Sequence, residues 1–389
     1  MIDIIDIDDL FVEGCFKLGL LKFGYTLNLC DFVRYHFEHR IVKQPDYENE
    51  TYLFIPISNP DKIITYPTDK KSSNGLHLSS LIERIRDSEN LNIVVSFPME
   101  TYIDEAMTNI LANLLRYYPK AKLFFSQANA NVDNRIVNRV SNRIKYLPNP
   151  LFEAHYGDHI RNTKLVSYEK TPIKKKFLVP MRQAKIFRIA IYMWMKEHAI
   201  LNNSYYSWLT ENVNNIPLQD DLLQSLIPRD VTPNDIYFLG TPVSLDNDDT
   251  RIILHKQWDM PSEAVSSSFM QIVLETTFNT GLIQDNPIIF LTEKTYKPIF
   301  YKQPFILISE PHSLRYLHDL GYKTFGSFID ESYDEIEDPV ERMKCITNEI
   351  LKINSMSLAQ LENIRVMIHD IVEHNYNVFM SRPTENILE

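Results

Sequence analysis

Short apolar runs and helically spaced apolar positions take turns along this chain. Leu91-Asn-Ile-Val-Val-Ser-Phe97 is a nearly continuous apolar run, the pattern of a strand covered on both faces. Thr101 then offers an N-cap, with Asp104 three residues on and Glu105 beside it. Met107, Ile110, Leu111, Leu114 and Leu115 follow at helical spacing, and Ala121-Lys-Leu-Phe-Phe-Ser126 reads as the next strand. Strand, helix and strand with short connections make a βαβ unit, which predicts a parallel sheet. A polar stretch over 167–176, carrying Pro172, reads as a linker. The pattern then restarts. Phe177-Leu-Val-Pro180 is a short strand, and a helix runs from Arg188 to about Leu201 with Ile189, Met193, Trp194 and Ile200 available for burial. Residues 202–250, rich in Asn, Asp and Pro, predict loops and short helices. Ile272-Val-Leu274 and Pro304-Phe-Ile-Leu-Ile308 read as buried strands. A helix over 313–320 is closed by Gly321, Asp338-Pro339 opens another, and one terminal helix spans about 358–376.

This order predicts an α/β protein of two Rossmann-like domains, 1–170 and 171–389, facing a cleft at the carboxyl ends of their strands. A length of 389 residues suits two cores. With 44% hydrophobic and 23% charged residues the composition is that of a globular protein. A net charge of −11 argues against an overall basic nucleic-acid binder and leaves room for a local basic groove. Cys15, Cys30 and Cys345 are too few and too scattered for a disulfide framework or a zinc motif, and fit a reducing compartment. No apolar run approaches the roughly 18 residues of a membrane span, and the acidic start Met1-Ile-Asp-Ile-Ile-Asp6 is unlike a signal peptide. The expected location is the cytoplasm, that of a host cell if the chain is viral. Only 9 glycines occur, and they form neither a dinucleotide fingerprint nor a P-loop. Phosphate would have to be held by side chains and helix N-termini.

Thr292-Glu293-Lys294 is a polar triplet between apolar segments, just ahead of the strand expected at 304–308. A carboxylate there can accept hydrogen bonds from ribose hydroxyls, and an adjacent ammonium can neutralise a diphosphate leaving group. A surface ion pair at a helix start is the plainer reading of the same residues. Glu275 directly follows a buried strand, a favoured site position in α/β folds, with a buried structural carboxylate as the plainer reading. Glu100, between a strand and a helix, is the candidate general base, against a role complementing the helix dipole. Asp31 and Glu38, near His36 and His39, are alternatives. Arg135, Arg139 and Arg143 recur every four residues, with Lys145 just beyond, and such a stripe can track the phosphates of DNA or simply face solvent. Asp246-Asn-Asp248 has the form of a metal-diphosphate triplet, but its loop-like surroundings favour a turn.

Thr292-Glu-Lys-Thr-Tyr-Lys-Pro-Ile299, Lys302-Gln-Pro-Phe-Ile306, Ser313-Leu314, Leu320-Gly-Tyr-Lys-Thr-Phe325 and Asp330-Glu-Ser-Tyr-Asp334 follow one another in this order. The series resembles the C-terminal domain of glycosyltransferases related to α-1,3-fucosyltransferases, found in phages, large viruses and bacteria. A weaker likeness joins Phe177-Leu178, Arg182 and Arg188 to a segment of the form Arg-x-x-Arg-x-His-Arg, from which Lys185 and Phe187 depart. The resemblance covers roughly the second half of the chain. It implies a GT-B fold and an inverting, metal-independent transfer from a nucleotide-diphosphate sugar, with no further cofactor. It implies that Glu293 binds the donor ribose, that Lys294 and Arg182 hold the diphosphate, and that Glu275 is a second donor-contacting acid. Thr292, Arg188 and Tyr296 are expected beside them, Tyr296 either near the base or in the core. The acceptor would be a hydroxymethylated base in phage-type DNA, or a glycan. A nucleotide-sugar or DNA-binding protein without catalysis is the alternative of another class.

Overall fold

A computed structural model describes residues 2–5, 39–42, 51–56, 91–97, parts of 108–127, 140–148, parts of 153–164, 167–181, 185–207, 220–232, 235, 260–279, 282–283 and 286–381. The chain forms two compact units. One comprises Met1–Leu151, Leu282–Ile288 and Pro383–Glu389, the other Phe152–Gly281 and Ile289–Arg382.

The first unit holds a six-stranded sheet of β1 (Ile2–Ile5), β2 (His39–Val42), β3 (Thr51–Pro56), β4 (Leu91–Phe97), β5 (Lys122–Gln127) and β6 (Ile144–Pro148), in the order β2-β1-β3-β4-β5-β6. Every pairing in it is parallel. β4 lies beside β5 with Ile93 opposite Leu123, the pairing that the βαβ pattern predicts. Along β6, the last strand in the order, Ile144 and Tyr146 are buried and Lys145 between them is exposed. That period-two alternation marks a strand covered on one face. The Tyr146 ring meets Phe125 of β5 at 5.9 Å. A two-residue antiparallel pair, β10 (Leu282–Ile283) with β11 (Asn286–Pro287), also belongs to this unit.

The second unit is built on a four-stranded sheet of β7 (Lys175–Val179), β8 (Ser204–Tyr206), β9 (Ser268–Leu274) and β12 (Phe305–Ile308), in the order β12-β9-β7-β8 and again parallel throughout. All seven residues of β9 are buried, as are all four of β12. A strand covered on both faces has no solvent side to alternate with, which is why these two show as apolar runs. Helix α1 (Ile186–Glu197) follows β7 and buries every residue from Phe187 to Met195. Then come α2 (Asp221–Leu226), α3 (Ser262–Ser267), α4 (Glu293–Phe300) and α5 (Ser313–Asp319), and finally α6 (Pro339–Ser355), α7 (Leu358–Met367) and α8 (His369–Ser381).

Local chemistry sets the helix ends. Asp220 caps α2 by accepting from the backbone N–H groups of Leu222 and Leu223. Asp338 caps α6 through the N–H of Glu341, with Pro339 in the first turn. Ser357 and Gln360 form a reciprocal capping box on α7. Past α5, Gly321 takes φ of 85°, its N–H donates to the His318 carbonyl, and the Tyr322 N–H donates to the Leu317 carbonyl. This pair of bonds is a Schellman closure, which needs a left-handed residue at that point.

Two expectations are corrected. The single terminal helix is two, because α7 ends at Met367 and Ile368 turns before α8 begins. Buried Leu361, Ile364, Ile368, Val372, Asn375 and Phe379 keep helical spacing across the break, so periodicity could not reveal it. Lys175 and Lys176 lie in β7 rather than in a linker, with their ammonium groups on the carbonyls of Asn202 and Asn354. The stretch before them is packed as well: the backbone N–H groups of Thr171 and Lys174 donate to Ser266 and Ser267, and that of Ile173 to the Glu362 carboxylate.

Candidate functional site

A buried polar cluster of the second unit lies where β9 ends. Glu275 follows the last residue of the strand and has no exposed surface. Its Oε1 accepts from the Thr292 N–H at 2.8 Å and the Thr295 hydroxyl at 2.7 Å. Its Oε2 accepts from the Thr292 hydroxyl at 2.8 Å and the Thr276 N–H at 2.9 Å. Thr292 is the N-cap of α4, and Thr295 sits in the first turn. A distant carboxylate therefore supplies the negative charge that a helix N-terminus favours, through charge-assisted bonds. The same bonds lock the strand end to the helix start.

Lys294 sits on the outer side of this clamp, with about a quarter of its side chain exposed. Its ammonium donates to Thr292 Oγ1 at 2.8 Å and Thr276 Oγ1 at 3.2 Å, and pairs with Glu293 Oε1 at 3.3 Å. Burial opposes ionisation of Glu293, but Lys294, Lys297 and hydrogen bonds from Lys294 and the backbone outweigh it, so its pKa falls below the usual glutamate value. Glu293 is thus a carboxylate at neutral pH beside a cation at a helix start.

Cations also brace the loop after β9. Arg188, 3% exposed in α1, donates from Nη2 to the carbonyls of Leu274 at 3.0 Å and Glu275 at 2.5 Å. Burial lowers its pKa to about 10 against the opposing pull of Glu275 and Glu293. Lys185, at the N-cap position of α1, donates to the Thr276 carbonyl at 2.6 Å. Arg342, 2% exposed in α6, donates to the Phe278 carbonyl and lies 4.5 Å over its ring. The other face of this layer is Phe187, stacked on Phe278 at 5.4 Å with Arg188 above it. The carbonyls of Leu274, at the end of β9, and of Glu275, Thr276 and Phe278 beyond it each receive a cationic donor, which fixes the strand end and the loop that follows.

The expected site residues fall into three groups. Thr292, Glu293, Lys294, Glu275 and Arg188 are brought together, although Glu275 and Arg188 do so as supports. The Glu275 carboxylate is enclosed with four donors, and the Arg188 guanidinium engages backbone carbonyls. Tyr296 takes the core setting of its two expected ones: it is 2% exposed, and its ring stacks on Phe379 at 5.9 Å and tilts against Tyr322 at 6.3 Å. Arg143 lies in a turn before β6, not on a helix face. Its guanidinium donates to the carbonyls of Pro119 and, at 3.1 Å, Leu115, which closes the preceding helical turns instead of presenting a phosphate contact. Lys145 is exposed on β6. Glu100, Arg135, Arg139, Arg182, Asp246 and Asp248 lie outside the described residues, as do Asp31, His36 and Glu38.

The sequence reading missed Lys185 and Thr276 as members of the cluster. Their positions, one before a helix and one after a buried strand, were the available signal. Asp334, in the motif series, accepts from the N–H groups of Leu314 and Arg315 and so caps α5. Glu331 accepts from the Thr324 hydroxyl and the Phe325 N–H. Among the described residues no group of three or more His, Cys, Asp or Glu side chains is placed to hold a metal ion, and no helix is long and apolar enough to cross a membrane.

No protein-family model matches the chain, and no curated protein matches it in sequence. Among solved structures, one similar chain is a DNA-modifying β-glucosyltransferase, determined in the presence and absence of uridine diphosphoglucose. It is 9% identical, the alignment covers 84% of this chain and 96% of that one, and the TM-score is 0.31. A likeness of that size carries no argument about what this chain does.

Proposed function

We propose that this protein is a glycosyltransferase of the GT-B type, moving a sugar from a nucleotide-diphosphate sugar to an acceptor hydroxyl with inversion and without a metal. The observation that carries the reading is the Glu293–Lys294 pair at the start of α4, held at the carboxyl end of a parallel sheet by the buried Glu275 clamp. Ligands of open α/β sheets bind at that edge. Glu293 takes the ribose hydroxyls as an ionised acceptor. Lys294 and the N-terminus of α4 take the diphosphate, with Arg182 as a further cation.

In the transfer, the acceptor oxygen bonds to the anomeric carbon as the bond from that carbon to the phosphate oxygen breaks. The electron pair leaves on the nucleoside diphosphate, and the acceptor proton passes to a base, for which Glu100 is the candidate. Cationic groups that meet the charge growing on the phosphate lower the barrier without a metal. A hydroxymethylated base in DNA is one acceptor. A glycan is the second reading, favoured by the diversion of Arg143 to backbone carbonyls, which removes one cation from the expected DNA-facing stripe.

Thermal unfolding with UDP, GDP, ADP, CDP and their sugar conjugates, each with and without EDTA, tests the reading. One nucleotide should raise stability by about 2.7 kcal/mol at a hundred times its dissociation constant, insensitive to EDTA. Lys294→Ala should abolish that rise. No rise with any nucleotide would remove the transferase reading, and a rise only with metal would overturn its metal-independent form.

A further inference from the structure

The cations assigned to the diphosphate so far are Lys294 and Arg182, and the geometry around Thr276 points to another. Lys294 donates to the Thr276 hydroxyl at 3.2 Å, and Lys185 donates to the carbonyl of the same residue at 2.6 Å. Two ammonium groups, from positions far apart in the chain, thus meet at opposite ends of one residue. Each stands at the start of a helix: Lys185 at the N-cap position of twelve-residue α1, Lys294 in the first turn of eight-residue α4. Both helices begin beyond the carboxyl edge of the sheet in which β7 and β9 are adjacent parallel strands. The first turn of α1 has no side-chain cap and no acidic residue of its own. Next to Thr276, the buried Thr277 hydroxyl has no hydrogen-bond partner among the described residues. Arg188, one turn further into α1, is turned onto the carbonyls of Leu274 and Glu275.

We propose that Lys185 is a further diphosphate-binding residue, acting across Thr276 from Lys294, so that two ammonium groups hold the nucleoside diphosphate before and after the sugar leaves. The assignment rests on the nucleotide-sugar reading above. Each ammonium is a compact cation with rotatable donors, suited to phosphate oxygens. Thr276 sets the spacing of the two, and the braced loop keeps Thr276 in place.

Calorimetric titration of UDP, GDP, ADP and CDP into the full chain, at two salt concentrations, separates the outcomes. Lys185→Gln keeps an N–H donor for the Thr276 carbonyl and removes the charge. It should leave the unfolding temperature of the nucleotide-free protein unchanged. It should weaken the preferred diphosphate at least tenfold and flatten the salt dependence, and Lys185→Arg should recover most of the affinity. If Lys185→Gln binds within threefold of the parent while Lys294→Gln loses tenfold, Lys185 is only a brace and the nucleotide-sugar reading stands. If Lys185→Gln lowers the unfolding temperature by several degrees and Lys185→Arg restores stability without affinity, the assignment likewise fails. If the parent protein binds none of the four diphosphates, both the assignment and the reading beneath it fall.

Discussion

Glu275 illustrates how much one buried carboxylate can organise. Each of its oxygens accepts from one backbone N–H and one threonine hydroxyl. A hydroxyl can reverse its hydrogen bond, but a backbone N–H cannot. Glu275→Gln must therefore set its NH2 against the N–H of either Thr292 or Thr276, and Glu275→Ala leaves all four donors without their acceptor. Unsatisfied buried donors cost about 1–3 kcal/mol each, so both variants should lose roughly 3 kcal/mol or more in urea unfolding. A glutamine variant as stable as the parent would show that the clamp contributes nothing. Lys170 gives the pH counterpart. Its ammonium donates to the Val265 carbonyl at 3.1 Å, and burial, then the charges of Arg365 and Lys302, lowers its pKa from 10.5 to about 7. Between those values the unfolded chain binds more protons than the folded one, so stability should climb as pH rises from 7 towards 10. Below pH 7 both states are protonated and the cost of burying the charge is fully present. Lys170→Met should flatten that rise, measured as unfolding free energy against pH. At this scale Thr292, Glu293 and Lys294 were legible because they are neighbours in sequence. The link from Glu275 to Thr292 and Thr295 was not, since only the sheet brings β9 to the start of α4.

Elements were legible where burial is two-sided or a cap is local. β9 and β12 announced themselves as apolar runs because both faces are covered, and Asp338-Pro339 and Gly321 mark helix ends by their own conformational preferences. β6 was harder, since Ile144 and Tyr146 alternate with polar neighbours, and β1 interrupts its isoleucines with Asp3. β8 is only three residues long, too short for any period to emerge. Gly321 allows a direct test of the local rule. A Cβ there would meet nothing within 4 Å, so Gly321→Ala carries no steric clash, only the conformational cost of φ at 85°. That cost is about 1–2 kcal/mol for an L residue, and the Schellman bonds that it endangers close α5. Thermal unfolding should show a loss of this size, whereas an unchanged transition would mean that the α5 terminus tolerates another closure.

For the whole molecule, the contrast is between a net charge of −11 and a local concentration of cations at one sheet edge. Distant carboxylates repel an anionic ligand, but at physiological salt their field fades over about 8 Å, so close contacts decide binding. Lys185 and Lys294 meet at Thr276, inside the unit formed by Phe152–Gly281 and Ile289–Arg382. The nucleotide-sugar reading therefore predicts where a ligand is felt. With a saturating nucleoside diphosphate, amide hydrogen exchange should slow at 185–189, 274–278 and 292–297, where the helix starts and the braced loop converge. Exchange in β5 and β6, which belong to the other unit, should not change. Slowing centred on β5 and β6 instead would move the nucleotide site to the first unit and strip Glu293 and Lys294 of their proposed roles. Slowing confined to 274–278 and 292–297 would keep those roles and leave Lys185 outside the site, so the exchange map separates the two assignments on the intact chain.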